Sequence, residues 1–143
     1  MKRVLINTDV ILDFLFDRKP FSDDACAVLS LCESGRVTGY VTPVIISNLY
    51  FILRRVARHE KVVEKLQQLI SIVEVLVIDK GVVKQALNSG FKDFEDALQN
   101  FSAEKNGAVD LIITRNIKDF KNSSLGVMTP ESYLNLSAKI NKE

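Results

Sequence analysis

The chain has 143 residues, of which 47% are hydrophobic and 26% are charged. This length fits one domain with a buried core, and the composition excludes a disordered, collagen-like or low-complexity protein. The formal net charge of +1 provides no overall attraction to nucleic acid, so any binding of that kind must come from a local patch.

The two ends of the chain give further expectations. The basic start and the apolar residues after it resemble a signal peptide, but Asn7, Asp9 and Asp13 interrupt the apolar run. We therefore expect a cytoplasmic protein that does not enter a membrane. We also expect a single domain over residues 1–136, followed by a flexible tail over residues 137–143.

Apolar runs rich in β-branched residues predict strands at residues 3–7, 39–42, 73–78, 111–114 and 127–128. Helical patterns separate these runs, at residues 10–16, 22–33, 44–58, 61–70, 82–88, 93–105 and from Pro130 or Glu131 onward. Strands that alternate with helices predict an α/β fold, in which a parallel sheet has helices on both faces. Ligands of such open sheets bind outside the carboxyl ends of the strands, so the residues that follow the strands are candidates for a site.

Polar residues follow two of the predicted strands. The stretch LINTDVILD, residues 5–13, places Asn7, Thr8 and Asp9 directly after the first strand. The stretch LIITRNIKDF places Arg115, Asn116 and Asp119 after the fourth strand.

A third segment brings two more acids. The helix that leads into the fourth strand begins Asp93-Phe94-Glu95-Asp96, and residues three apart on a helix share a face. Asp93 and Asp96 therefore point the same way, and three separate segments bring oxygen ligands to one edge of the sheet.

Carboxylates and carboxamides without His or Cys suit a hard cation such as Mg²⁺ or Mn²⁺. Beside a phosphodiester, such ions orient and deprotonate a water molecule and neutralise the leaving oxygen, which would make the site a nuclease. The same residues also have a purely structural interpretation. Asp9 can cap the next helix, Asp93 and Asp96 lie in a first turn where acids are favoured, and Asp119 can form an Asx turn. The spacing alone leaves both interpretations open.

Other common chemistries lack their residues. The stretch NSGFKDF has neither the Lys-Ser/Thr pair nor the second glycine of phosphate-binding loops. Catalysis by a Ser-His-Asp or Cys-His arrangement needs a histidine near a nucleophile, and the single histidine, His59, lies in a charged helical segment. We expect His59 to be a solvated surface residue.

Two groups of basic residues are candidates for phosphate contacts. Arg115 and Lys118 lie close to the acidic edge in sequence. The other group would form a stripe if the third and fourth helices were nearly continuous, and it consists of Arg54, Arg58, Lys61 and Lys65. A solvated face, partly paired with neighbouring acids, is the alternative interpretation of that stripe.

Three stretches together resemble the PIN domain family, particularly the small bacterial proteins related to VapC-type toxins. They are VLINTDVILDFLF, FKDFEDALQNFSAEKNGAVDLIITRNIKDF and VMTPESYL, and the similarity runs over residues 4–134. The resemblance implies a three-layer α/β/α fold with a central parallel sheet. It further implies cleavage of single-stranded RNA with Mg²⁺ or Mn²⁺, and a homodimer that a small antitoxin protein inhibits.

The resemblance also assigns residues. The first-strand Asp of the family falls on Asn7 and the following Thr on Thr8, while the Glu of the third helix falls on Asn48. The acid before the fourth strand falls on Asp96, with Asp93 beside it. The last acidic position falls on Asn116, with Asp119 shortly after it.

These assignments predict a site in which several family carboxylates are neutral. The opening DTN of the family is NTD here, which moves the charge from position 7 to Asp9. An amide offers a carbonyl oxygen but does not neutralise a divalent ion. With a family-like backbone, the Asp9 side chain is expected to point toward the following turn rather than to replace the lost ligand.

Our first hypothesis is a toxin-type endoribonuclease with catalytic residues Asn7, Asp96, Asn116 and Asp119. Its metal ligands would be drawn from Asp96, Asp119, Asn7 and Asp93. Its substrate-binding and bracing residues would be Thr8, Asn48, Thr114 and Arg115, with Arg115 attracting the RNA backbone. The alternative is a PIN-fold protein that no longer cleaves and acts by holding RNA or a protein partner.

Overall fold

Five parallel strands form the centre of the protein, which a computed structural model describes over residues 1–142. The strands are β1 (Arg3–Ile6), β2 (Thr38–Val41), β3 (Val73–Val75), β4 (Leu111–Ile113) and β5 (Gly126–Met128). Their order across the sheet is β3-β2-β1-β4-β5. The predicted α/β class with a central parallel sheet is therefore confirmed.

Within the described residues, seven α-helices flank this sheet. They are α1 (Thr8–Leu15), α2 (Ser22–Glu33), α3 (Pro43–Leu53), α4 (His59–Ile70), α5 (Lys80–Leu87), α6 (Phe94–Asn106) and α7 (Pro130–Lys142), and a 3₁₀ helix spans Ile117–Phe120. Helix α2 packs against α1 and α7, while α6 packs against α5 and α3. Across residues 1–142, no helix has both the length and the apolar run that a membrane crossing requires.

The strand order creates a switch point in the middle of the sheet. From β1 the chain builds outward through β2 and β3 on one side, and it then returns to place β4 on the other side of β1. Ile6 pairs with Ile113 at the carboxyl ends of β1 and β4, and the backbone N–H of Asn7 donates to the carbonyl of Ile113 at 3.0 Å. The residues after β1 and after β4 are therefore direct neighbours, at the place where open α/β sheets bind ligands.

The central strands are apolar because helices cover both of their faces. In β1 and β4, every residue apart from Arg3 is fully buried: Val4, Leu5, Ile6, Leu111, Ile112 and Ile113. Strands buried on both faces read as continuous apolar runs, which is why VLI and LII were recognisable in the sequence. A smaller cluster of Val82, Ala86, Ala97 and Leu98 joins α5 to α6.

Two helical predictions are wrong in detail. The helix predicted over 44–58 ends at Leu53, where the Nη1 of Arg54 donates to the carbonyl of Ala57 and closes a turn. Because α4 begins only at His59, the two helices are not continuous and the predicted basic stripe is interrupted. A serine at the first position of the helix predicted over 22–33 indicates an N-cap, but the hydroxyl of Ser22 donates to Asp17 at 2.7 Å instead.

Two further boundaries differ from those expected. The strand predicted over 73–78 stops at Val75, because its partner β2 ends at Val41 and offers no further ladder positions. Residues 137–142, expected as a flexible tail, continue helix α7 through Lys142. Glu143 lies outside the described residues.

Gly39 in β2 generates a stability prediction. A Cβ at this position would lie 2.6 Å from the Sγ of Cys32, with Val73 and Ile6 also closer than ordinary contact. We expect Gly39→Ala to lower the free energy of unfolding by about 1–3 kcal/mol, because a methyl group forced into a packed interior shifts its neighbours. Urea unfolding measures this change.

The double variant Gly39→Ala, Cys32→Ala is the matched control. Removal of the Cys32 sulfur opens the space that the new methyl group needs. The double variant should therefore lose less stability than the sum of the two single variants, and simple additivity would contradict the close approach.

Candidate active site

An open cleft of about 510 Å³ lies at the carboxyl edge of the sheet, above the ends of β1 and β4. Helix α3 supplies one wall and the start of α6 another. Its polar lining residues are Asn7, Thr8, Asp9, Arg18, Asn48, Arg55, Asp93, Glu95, Asp96, Gln99, Asn116 and Asp119. The cleft thus brings together seven of the site residues predicted from the sequence: Asn7, Thr8, Asn48, Asp93, Asp96, Asn116 and Asp119.

The hydroxyl of Thr114 connects the two central strand ends. Thr114 is fully buried and does not line the cleft itself. Its Oγ1 accepts from the Nδ2 of Asn7 at 3.3 Å and from the backbone N–H of Asn116 at 3.1 Å, and it donates to the carboxylate of Asp9 at 3.2 Å. One buried side chain therefore orients a residue from each of three positions around the cleft.

Asp9 was named from the sequence, but the direction predicted for its side chain is wrong. Its Oδ2 accepts the backbone N–H of Arg115 at 2.9 Å, so the side chain turns toward β4 and into the cleft rather than toward the following turn. No shift of the strand is needed, because α1 starts at Thr8 and places Asp9 in its first turn. The available signal was the position of Asp9 three residues after a strand and two residues after the neutral Asn7.

Burial and the hydrogen bonds of Asp9 act in opposite directions on its acidity. Burial raises the pKa of the carboxyl above its ordinary value, while the backbone N–H of Arg115 and the hydroxyl of Thr114 lower it. The burial effect is the largest, so the pKa of Asp9 is raised overall.

The start of α6 contributes the strongest electrostatic feature. Asp93 is the N-cap of this helix, and its Oδ1 accepts the backbone N–H of Asp96 at 2.9 Å. Burial is the largest cause that raises the pKa of Asp96, and the charges of Asp93, Asp119, Asp9 and Glu95 follow in that order; together they bring it to about 7. A carboxyl whose pKa is raised by neighbouring carboxylates marks a place where a cation would relieve repulsion.

Helix α3 reaches across the cleft to α6. The Nδ2 of Asn48 donates to the Oε2 of Glu95 at 2.8 Å, and the hydroxyl of Thr42 donates to the buried side chain of Gln99. Asn48, expected to contact substrate, therefore also joins two walls of the cleft.

Arg115 lies behind the cleft rather than in it. Its Nε and Nη2 donate to Oδ2 and Oδ1 of Asp13 at 2.5 and 3.0 Å, and its guanidinium stacks 4.0 Å from the centre of the Phe21 ring. Asp13 is only 1% exposed and also lies 3.6 Å from Arg18. The Arg115 guanidinium, which was expected to attract RNA, thus forms a bidentate ion pair with Asp13. This ion pair anchors the backbone next to Asp9.

The oxygen donors fit a hydrated hard cation better than a closed metal cage. Within residues 1–142, no three His, Cys, Asp or Glu side chains are grouped closely enough to hold a metal ion by themselves. Asp9, Asp96 and Asp119 nevertheless line one cleft, with amide oxygens from Asn7 and Asn116 beside them. Mg²⁺ keeps several waters and binds proteins through one or two carboxylates, which such a set can provide.

A second cavity has a different chemistry. A groove of about 440 Å³ lies between α1, α2 and α4 and is lined mainly by apolar side chains such as Ile11, Phe14 and Leu69. Glu33 and Lys65 are its charged members. Its lining offers no clustered carboxylates, so the cleft above β1 and β4 is the candidate active site.

Comparisons with known proteins agree with this architecture. The chain is 23% identical over 137 residues to Ribonuclease VapC1 from Aquifex aeolicus strain VF5, covering 92% of this chain and 93% of that protein. A toxin-antitoxin complex from Klebsiella pneumoniae has the same fold with a TM-score of 0.66 and 21% identity, over 89% of this chain and 97% of the other. VapBC2 from Rickettsia felis, solved bound to a promoter DNA fragment, gives a TM-score of 0.65 with 14% identity, over 88% and 96%. The family model described as PIN domain matches residues 3–118, and the chain therefore belongs to the PIN domain family.

Proposed function

We propose that this chain is an endoribonuclease of toxin-antitoxin type that cleaves RNA phosphodiester bonds with Mg²⁺ or Mn²⁺. The observation that carries the proposal is the convergence of Asp9, Asp96 and Asp119 in one cleft at the switch point of the sheet. Membership of the PIN domain family and similarity to a protein named as a ribonuclease support it.

The residues fit a division between charged and neutral ligands. Asp96 and Asp119 are the proposed direct or water-mediated ligands, and Asn7 and Asn116 position water through their amides. Asp93 has one carboxylate oxygen engaged as a helix cap, so we assign it to the outer part of the site. A bound divalent ion would orient and deprotonate a water molecule and neutralise the leaving oxygen.

Asp9 supplies the charge that Asn7 lacks. Its carboxylate lies in the cleft and contributes to the raised pKa of Asp96, so the two groups share one electrostatic environment. Thr114 orients Asp9 and Asn7 together. We infer that the exchange of Asp and Asn between positions 7 and 9 changes the position of one carboxylate and keeps it within the cleft.

The remaining site residues predicted from the sequence have positioning or substrate-binding roles in this proposal. Thr8 and Asn48 line the cleft, where they can contact RNA. Arg115 positions the backbone that donates to Asp9, because its guanidinium is held by Asp13.

A second candidate function is RNA or protein binding without cleavage. The observation in its favour is that Asn7, Asn48 and Asn116 are uncharged at three positions where the family resemblance implies acids. The two candidates differ in whether Asp96 supports turnover in the presence of Mn²⁺.

We also infer a partner. Solved proteins with this fold include toxin-antitoxin complexes, some of them bound to DNA. A small antitoxin protein and a homodimer are therefore the proposed assembly of this chain, and a cytoplasmic location stays a prediction.

Asp96→Asn tests the proposed function directly. We expect cleavage of single-stranded RNA in Mn²⁺ to fall by roughly 100-fold, because a divalent ion contributes several kcal/mol of charge stabilisation. The rate is followed on a fluorescent oligonucleotide, and Mn²⁺ binding is followed by calorimetry.

Asp110→Asn is the matched control for this variant. Asp110 precedes β4 at the opposite edge of the sheet, where it accepts from the backbone of Arg3. It should leave cleavage unchanged. An Asp96→Asn protein as active as Asp110→Asn would contradict the nuclease proposal.

Asn7→Asp tests whether the cleft holds a cation. We expect Mn²⁺ to bind roughly 10-fold more tightly or better, since a carboxylate near a divalent ion is worth more than a kcal/mol at an effective dielectric of about 20. Without metal the variant should be less stable than the parent, because the new charge faces Asp9 across Thr114. Calorimetry and unfolding in the presence of a chelator measure the two effects. Unchanged Mn²⁺ affinity would contradict a cation site in this cleft.

The raised pKa of Asp96 predicts how stability depends on pH. Between the ordinary value of 3.8 and about 7, the folded protein keeps a proton on Asp96 that the unfolded chain releases. The free energy of unfolding without metal should therefore fall as pH rises through this window.

Urea unfolding of the parent and of Asp96→Asn across that window checks the sign. The variant should lose much of the slope, and Asp110→Asn should keep it. An unchanged slope in Asp96→Asn would assign the pH dependence to other groups.

A further inference from the structure

An exposed aromatic side chain stands on the wall of the carboxylate cleft. Phe51 in α3 lines the cleft and is 65% exposed, although most large apolar side chains of α3 are directed into the core. A large exposed aromatic ring beside a polar site is a common feature of binding surfaces. Packing within the fold does not explain it.

The Phe51 ring contacts Tyr50, and Tyr50 in turn contacts His59. Tyr50 packs edge-on against it with ring centres 5.3 Å apart. The hydroxyl of Tyr50 lies 3.0 Å from the Nδ1 of His59, the first residue of α4, and the two rings are also in edge contact. A ring that already packs against a neighbour loses less conformational freedom when a ligand stacks on it than an isolated ring does.

A basic side chain lines the same cleft as Phe51. Arg55, in the turn after α3, lines the same cleft and is exposed, and no carboxylate of residues 1–142 forms an ion pair with it. Arg54 and Arg58 occupy the same turn. On the other side of the cleft, Arg18 is partly neutralised by Asp13. Among the side chains that the structure describes, Arg55 is therefore the cleft-lining cation that forms no ion pair.

We propose that Phe51 and Arg55 form a nucleotide subsite, in which an unpaired RNA base stacks on the Phe51 ring and the adjacent phosphate contacts Arg55. This inference rests on the proposed function for its choice of RNA. Single-stranded nucleic acids are held by this combination of an aromatic platform with a neighbouring cation. Carboxylates at the cleft floor repel phosphates, so a cation on the wall would guide the chain toward the reacting bond.

The subsite selects for RNA whose bases are unstacked. A base inside a duplex keeps both of its faces covered by its neighbours, and it is therefore unable to lie flat on Phe51. The predicted substrate is a loop or single strand, and one nucleotide next to the cleaved bond contributes its base.

Binding of a fluorescent single-stranded RNA to the Asp96→Asn protein in Mg²⁺ tests the subsite without turnover. We expect Phe51→Ala to weaken binding by about 10-fold or more and Phe51→Trp to preserve it, because stacking needs only an aromatic face. An oligonucleotide that lacks one base at the relevant position should bind Asp96→Asn and Asp96→Asn, Phe51→Ala equally. Phe14→Ala, an exposed phenylalanine in the apolar groove, is the control that should not change binding.

Arg55 is tested through the salt dependence of the same binding. Arg55→Ala should reduce the slope of log affinity against log salt by about 1, whereas Phe51→Ala should leave the slope unchanged. Arg36→Ala, an exposed arginine next to β2 at the other edge of the sheet, serves as the control.

The outcomes separate this inference from the proposed function. Active wild-type protein whose RNA binding and KM are unaffected by Phe51→Ala overturns the subsite and leaves the nuclease intact. Inactive wild-type protein that loses RNA binding in Phe51→Ala supports the subsite and overturns the nuclease. RNA binding by none of the proteins overturns both.

Sedimentation of wild-type protein and Phe51→Ala completes the test. A changed oligomeric state with unchanged RNA binding would assign the face to a second copy of the chain and overturn the inference.

Discussion

The pairing of β1 with β4 is the constraint on which the site depends. These strands are distant in sequence, yet the alignment of Ile6 with Ile113 makes the residues that follow them neighbours. Asn7, Asp9, Thr114 and Asn116 can meet only because both strands end at the same level. Apart from Arg3, both strands are fully buried between the helices, so this junction lies in the interior of the sheet.

Around this junction, the fold buries carboxylates close to one another, which disfavours their charged forms. The carboxylates of Asp9 and Asp96 are both partly buried, and the cost appears as raised pKa values. The backbone N–H of Arg115 offsets some of that cost at Asp9. Such a balance is typical of sites that bind a cation or a proton during function, where stability is given up for reactivity.

The ion pair of Asp13 with Arg115 supports the site from behind. A buried carboxylate is stable only when it is paired and hydrogen-bonded, and Arg115 meets both oxygens of Asp13. The same arginine presents its backbone N–H to Asp9. Arg115 thus connects the buried ion pair to Asp9, and the position of Asp9 depends on a contact outside the cleft.

The sequence by itself determined the fold class, most element positions and the edge of the sheet that carries the candidate site. Continuous apolar runs rich in β-branched residues and helical spacing are local properties, and the rule that ligands meet parallel sheets at their carboxyl ends needs no coordinates. Tertiary structure decided the rest. The direction of the Asp9 side chain depends on an N–H of Arg115 about a hundred positions away, the engagement of Arg115 depends on the burial of Asp13, and the end of α3 depends on a turn closed by Arg54. These contacts are formed between segments that no local pattern brings together, which is why the sequence located the carboxylates but the folded chain decided which of them face the cleft.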